Sequence, residues 1–228
     1  MYQKNPFEDL PEGLSFDINP YAKELYEARK DASVPAVFGQ ELKEYTGCWK
    51  RRLSSETLML EIGVHKGATL LELARTQAGL GCVGMDITFK RVMTTAKRLQ
   101  EEGLGQKAAA VLADARFLDQ VFAPDELDGV IMFFPDPWTH KKGYTHKRLF
   151  QDDLCVAIKR ALNCGGYFWF KTDCGDYSQH TAQILESHGF RRQESVSPYD
   201  EDYSSSFERK FRGKGLPIYN HWWIPPVS

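Results

Sequence analysis

Between residues 57 and 189 the chain repeats one unit: a short apolar run, a turn, then a segment with helical spacing. The apolar runs are TLMLEIG (57–63), GCVGMDI (81–87), AAAVLADA (108–115), DGVIMFF (128–134) and YFWFKTD (167–173). Near-continuous apolar character over so few residues reads as parallel strands buried on both faces. The segments 68–79, 88–103, 149–166 and 177–189 carry helical periodicity and each closes on glycine. This alternation predicts an α/β chain, a Rossmann-like, doubly wound and mostly parallel sheet with helices on both faces. Two β-rich stretches, around 190–197 and 206–212, predict an antiparallel addition at the C-terminal edge. Residues 1–50 read as a polar N-terminal extension with a helix from Pro20 to about Lys30, and residues 51–228 as the domain proper.

Bulk properties remove several function classes. A length of 228 residues suffices for one α/β domain with a substantial core. A net charge of −2 weighs against a polycation that coats nucleic acid. Basic residues nevertheless cluster at 140–148 (Lys141, Lys142, Lys147, Arg148) and at 209–214 (Arg209, Lys210, Arg212, Lys214). Five scattered cysteines without a CxxC predict reduced thiols rather than disulfides or a zinc site. The histidines form no HExxH or other close ligand pair, so no metal is expected. The start, MYQKNPFEDL, does not read as a signal peptide, and no apolar run approaches the ~18 residues of a membrane helix. The expected location is cytoplasmic, with no membrane partner.

In doubly wound sheets, ligands bind beyond the carboxyl ends of the strands. Those ends carry Glu61, Asp86, Asp114 and Asp136. One such acid is an ordinary cap or turn residue; four on consecutive strands point to a site. The loop after the first strand, Gly63-Val64-His65-Lys66-Gly67-Ala68, fails the dinucleotide fingerprint at His65 and Ala68, and it is not a P-loop. Asp86 is placed to accept the hydroxyls of a ribose, which suits NAD and S-adenosylmethionine equally. Glu61 favours the second, because a sulfonium and an ammonium welcome a carboxylate that a pyrophosphate would not.

From about residue 57 to residue 213 the chain resembles the bacterial tRNA (guanine-N7-)-methyltransferases. LEIGVHKGATLLELA is similar to their cofactor loop, GMDITFKRVMTTAKR to their second strand and helix, and ADAR to their D-A turn at Asp114 and Ala115. FFPDPWTHKK followed by HKRLF, then FKTDCGDY, then SSFERKFRGKG resemble the family's most specific motifs, in the family's order. The resemblance implies the class I methyltransferase fold, S-adenosyl-L-methionine as cofactor, and methyl transfer to N7 of a guanosine in the variable loop of tRNA. It implies a cofactor site of Glu61, Gly63, Gly67, Asp86, Asp114, Ala115 and Asp136. It also implies Asp136 as the catalytic residue, and His140, Lys141, Asp173, Ser205 and Glu208 on the substrate. Guanine presents donors at N1 and N2, which the carboxylates of Asp173 and Glu208 would read; a salt bridge at the rim is the alternative use of Glu208. Trp138 would stack on a base or close the core, and the basic run at 140–148 would meet phosphates.

Departures from the family pattern are His65 in place of a glycine, and His140 where a lysine usually stands. The segment between Lys142 and His146 is longer by about two residues, and an arginine-rich N-terminal arm is missing. Histidine tolerates left-handed geometry better than most residues, so the loop is expected to keep its path with the ring toward solvent. Another RNA, a small molecule, or binding without catalysis remain open as alternatives, as do monomer and homodimer.

Overall fold

Successive side chains on a strand point to opposite layers, so a strand covered on both faces needs apolar residues at every position. The computed structural model, which describes residues 6–7, 20–139, 144–194 and 205–226, has eight strands among those residues. They are β1 (Ala36–Val37), β2 (Thr57–Ile62), β3 (Leu80–Asp86), β4 (Ala108–Leu112), β5 (Leu127–Phe133), β6 (Leu162–Thr172), β7 (Arg191–Gln193) and β8 (Tyr219–Ile224). They form one sheet in the order β1-β4-β3-β2-β5-β6-β8-β7. All pairings from β1 to β6 are parallel, and β8 is antiparallel to both β6 and β7. Leu58, Leu60 and Ile62 of β2 enter the same layer as Phe168 and Phe170 of β6, while Met59, Tyr167 and Trp169 enter the other.

The helices are α1 (Pro20–Ala28), α2 (Leu42–Tyr45), α3 (Trp49–Arg52), α4 (Ala68–Thr76) and α5 (Phe89–Glu101), then α6 (Leu118–Val121), α7 (Asp152–Ala161), α8 (Gly175–Ser187) and α9 (Ser206–Arg212). In α5, Phe89, Val92, Met93, Ala96 and Leu99 are buried at spacings of three and four, which makes one apolar stripe. In α7, Asp152 and Asp153 occupy the first turn and Lys159 and Arg160 the last, the polarity that the helix macrodipole favours.

The order reverses at β2, which pairs β3 on one side and β5 on the other. That is the switch point, and the carboxyl ends of β2, β3, β4 and β5 carry the acids. The stretch before residue 50 contributes more than a polar prelude: β1 extends the sheet beside β4, and Trp49 is fully buried with its indole N–H donating to the Val121 carbonyl.

Two expectations at the C-terminal end need correction. Residues 206–212 form α9, not a strand. Ser205 caps this helix by accepting the Glu208 N–H at 3.1 Å, the S-x-x-E pattern of a helix start. The second antiparallel strand is instead β8, whose Trp222 stacks on Trp169 with ring centroids 3.8 Å apart. Of the stretch 190–197, Arg191–Gln193 is strand, and residues 195–197 lie outside the described residues.

Candidate active site

The cofactor loop turns tightly because two glycines take positive φ, Gly63 at 84° and Gly67 at 71°. A β-carbon on Gly67 would lie 2.7 Å from Thr95 Cγ2, so α5 and the loop are in close contact there. A β-carbon on Gly63 would meet nothing within 4 Å. Open space beside the Gly63 backbone is what close approach of a ligand requires.

Glu61 sits under this loop and is 5% exposed. Its Oε2 has no hydrogen-bond partner among the described residues. Burial pushes its carboxyl up to about 8, and the nearby Asp86 adds to the rise, while hydrogen bonds from the Thr69 side chain and the Leu70 N–H oppose it. A buried acid with one unsatisfied oxygen fits a cationic ligand. Asp86, also buried, accepts the Thr88 N–H at 2.9 Å and faces the Arg91 guanidinium at 3.4 Å. The Asx turn fixes its direction and leaves lone pairs free for hydroxyl donors. Ile87, the next residue, is 55% exposed, an apolar surface at a strand end that the sequence reading did not single out.

Asp114 is the cap of a 3-10 turn at Ala115–Phe117 and receives the Arg116 N–H. Its carboxylate is also held by the Arg116 guanidinium in a two-point contact. A ligand that uses Asp114 therefore shares it with Arg116.

Asp136 is exposed just past β5. Its Oδ1 accepts the Trp138 N–H at 3.2 Å. The residues flanking Pro135-Asp136-Pro137, Phe134 and Trp138, have positive φ of 51° and 49°. Such geometry is costly for an aromatic residue and persists only where neighbours impose it. Here the Phe134 N–H donates to the Lys171 carbonyl at 2.7 Å. The Arg148 guanidinium donates to the Pro137 carbonyl at 3.0 Å and lies over the Tyr177 ring. Arg148 is 5% exposed. It is a clamp on the acidic turn, so this member of the basic run is not available for phosphates, contrary to expectation. Lys147 sits over the Trp138 ring, 5.4 Å from its centroid. His140 and Lys141 lie outside the described residues.

Asp173 is half-buried at the end of β6. Glu208 does form a salt bridge, the alternative to reading the base, but in the interior rather than at the rim, with Lys171 and Arg212. It is 4% exposed; one oxygen receives Lys171 Nζ at 2.7 Å and the other the Arg212 guanidinium at 2.7 Å. Burial alone would raise the Glu208 carboxyl, but these two cations hold it below the usual range. Lys171 is itself buried between the Phe133 and Trp169 rings, and burial lowers its ammonium despite Glu208. The sequence signal for this pair is a lysine inside an apolar strand together with a C-terminal S-x-x-E motif.

His65 differs from expectation too. Its φ is 51°, so the loop does keep a left-handed path, but the side chain is half-buried rather than free in solvent. It packs edge-on against Phe207 of α9, with centroids 4.8 Å apart and planes at 73°.

Among the described residues no group of His, Cys, Asp and Glu could hold a metal ion, and no helix is long and apolar enough to cross a membrane. A family model described as "Putative methyltransferase" matches residues 55–221. A Myxococcus xanthus (strain DK1622) protein named tRNA (guanine-N(7)-)-methyltransferase is 32% identical over 178 residues, covering 76% of this chain and 85% of that protein. The protein of that name from Marinobacter nauticus is 30% identical, covering 72% of this chain and 70% of its own length. Among solved structures, the aminoglycoside resistance methyltransferase NpmB1 shares the fold at a TM-score of 0.55 with 17% identity, over 78% of this chain and 91% of that one. A SAM-dependent O-methyltransferase from Thermotoga maritima does so at 0.52 with 15% identity, over 90% and 71%. With most of its length matched at this level, and with the strand-end acids and the Pro-Asp-Pro turn gathered at one end of the sheet, the chain belongs to the tRNA (guanine-N7-)-methyltransferase family.

Proposed function

We propose that this protein transfers a methyl group from S-adenosylmethionine to N7 of a guanosine in tRNA. The observation that carries the reading is the buried Glu61 with its unpartnered Oε2 beside the open face of Gly63. Glu61 would hold the cofactor's ammonium, Asp86 the ribose hydroxyls, and Asp114 with Ala115 the adenine edge. Bound S-adenosylmethionine supplies an electrophilic methyl on a sulfonium. Guanine N7 carries a lone pair and no proton, so the chain needs no general base. Its tasks are alignment and tolerance of positive charge on the purine. Asp136 is suited to the second task, since its carboxylate is fixed in direction by the Trp138 N–H and by the clamped turn. Asp173 would read the donors of the base. Ser205 and Glu208 would serve the substrate by capping and anchoring α9. The methyltransferase domain spans residues 51–228 on this reading.

Incubating the purified protein with tRNA and S-adenosylmethionine, then digesting the RNA for nucleoside mass spectrometry, should show new N7-methylguanosine. Methylation at another nucleoside, or none with cofactor bound, would replace this reading with one of its alternatives.

The Glu61 carboxyl predicts a proton count. With a folded-state value of about 8 it is mostly protonated at pH 7 in the ligand-free protein. An ammonium placed beside it favours the ionised form. Calorimetry in buffers of different ionisation enthalpy should therefore find close to one more proton released on cofactor binding by the wild type than by Glu61→Gln. Equal release would mean that Glu61 does not face the ammonium. Because its folded value lies above its ordinary value of 4.5, the stability Glu61 contributes is full below that pH and lost as pH rises through about 8. Glu61→Gln should flatten this decline.

A further inference from the structure

The geometry points to His65 as a positioning residue that ties the cofactor loop to α9 and, through an aromatic chain, to the turn that carries Asp136. This inference rests on the methyltransferase reading above. The loop already has its turns from Gly63 and Gly67, so nothing in its path requires a side chain at position 65. The ring placed there is half-buried and meets Phe207. Phe207 stacks with Phe211 at 6.1 Å between centroids, and Phe211 lies 5.2 Å from Phe134. Phe134 stands directly before Pro135 and Asp136, held at positive φ by its bond to the Lys171 carbonyl.

α9 is thus fastened from two sides: an ion pair roots Glu208 to β6, and the His65–Phe207 contact fastens it to the loop. The two attachments differ in what they sense. The ion pair is buried in the fold and independent of the cofactor. The ring contact belongs to the loop that a bound cofactor would order. Ordering the loop therefore also orders α9, and by linkage RNA held against α9 strengthens cofactor binding by the same factor. A chain with glycine at this position has no side chain to carry that coupling.

Hydrogen exchange of α9 in the full-length protein, with and without S-adenosylhomocysteine, tests the coupling. The cofactor product should slow exchange across Ser206–Arg212 in the wild type. In His65→Asn, which tolerates the same backbone, it should slow exchange in the loop but not in α9. Cofactor affinity should change less than tenfold, while kcat/KM for tRNA falls roughly threefold to tenfold, the size of one aromatic pair. His65→Gly should behave alike, and Phe207→Leu should add little to either variant. Binding by the wild type with α9 equally protected in wild type and variants overturns the coupling alone. Absence of cofactor binding by the wild type overturns the methyltransferase reading as well. A gain in cofactor affinity of a hundredfold in His65→Gly would also overturn the inference, by showing that the ring obstructs the site.

Discussion

Replacing Glu208 by alanine is expected to destabilise the protein by roughly 3–5 kcal/mol, the cost of breaking a buried ion pair from one side. The Lys171 ammonium is 1% exposed and lies 4.7 Å from the Trp169 centroid and 5.2 Å from that of Phe133. With Glu208 gone it stays in that pocket without its carboxylate, or gives up its proton. For a chain of this size the midpoint of thermal unfolding should drop by about 10 °C. A double variant, Lys171→Met with Glu208→Leu, removes both charges and should recover most of the loss, because desolvated pairs are often replaceable by apolar contacts. Since Lys171 and Arg212 hold the folded Glu208 below its ordinary value, its stabilisation is present above about pH 4.5 and lost as pH falls through the folded value. The part of the acid limb that Glu208 contributes to the wild-type stability curve should be absent in Glu208→Ala. Equilibrium unfolding in urea across pH measures both effects; a loss under 1 kcal/mol would mean that the pair does not anchor α9. Methylation of tRNA should fall with Glu208→Ala and largely return in the double variant if the anchored helix is what meets the RNA.

Asp136→Asn should lower the rate of methyl transfer by about a hundredfold to a thousandfold, or roughly 3–4 kcal/mol, as loss of one preorganised electrostatic group does. Asparagine keeps the shape and the bond from the Trp138 N–H, so the change isolates the charge. Asp136 is exposed, so stability should stay within about 0.5 kcal/mol of the wild type. Single-turnover measurements with saturating cofactor and tRNA separate this from weakened binding. A wild-type rate would remove Asp136 from the chemistry and leave Pro-Asp-Pro as a structural turn.

The turn itself shows where local signals end. Two prolines restrict the backbone around Asp136, and that much is legible in seven residues. That Phe134 and Trp138 are both forced to positive φ depends on Lys171 and on Arg148, which reach the turn from β6 and from the segment before α7. Arg148 reads as one more charge in a basic run; only packing brings the Pro137 carbonyl and the Tyr177 ring around it.

The sheet and its acids were settled by the sequence because apolar runs, glycine stops and strand-end carboxylates each act over a few residues. Thus β2, β3, β4, β5 and β6 and the places of Glu61, Asp86, Asp114 and Asp136 could be read directly. The helix α9 was also encoded, in Ser205-x-x-Glu208 and the four-residue spacing of Phe207 and Phe211, but a short segment rich in aromatic residues supports a strand reading as well. β8 gave no alternation because adjacent Trp222 and Trp223 are both buried, one in each layer of the core. Tertiary structure alone decided that Lys171 meets Glu208 across 37 positions of sequence, and that the half-buried His65 ring rests on Phe207. The energy of such contacts depends on desolvation and on which chain segment arrives opposite, and neither exists until the sheet has closed and α9 has docked.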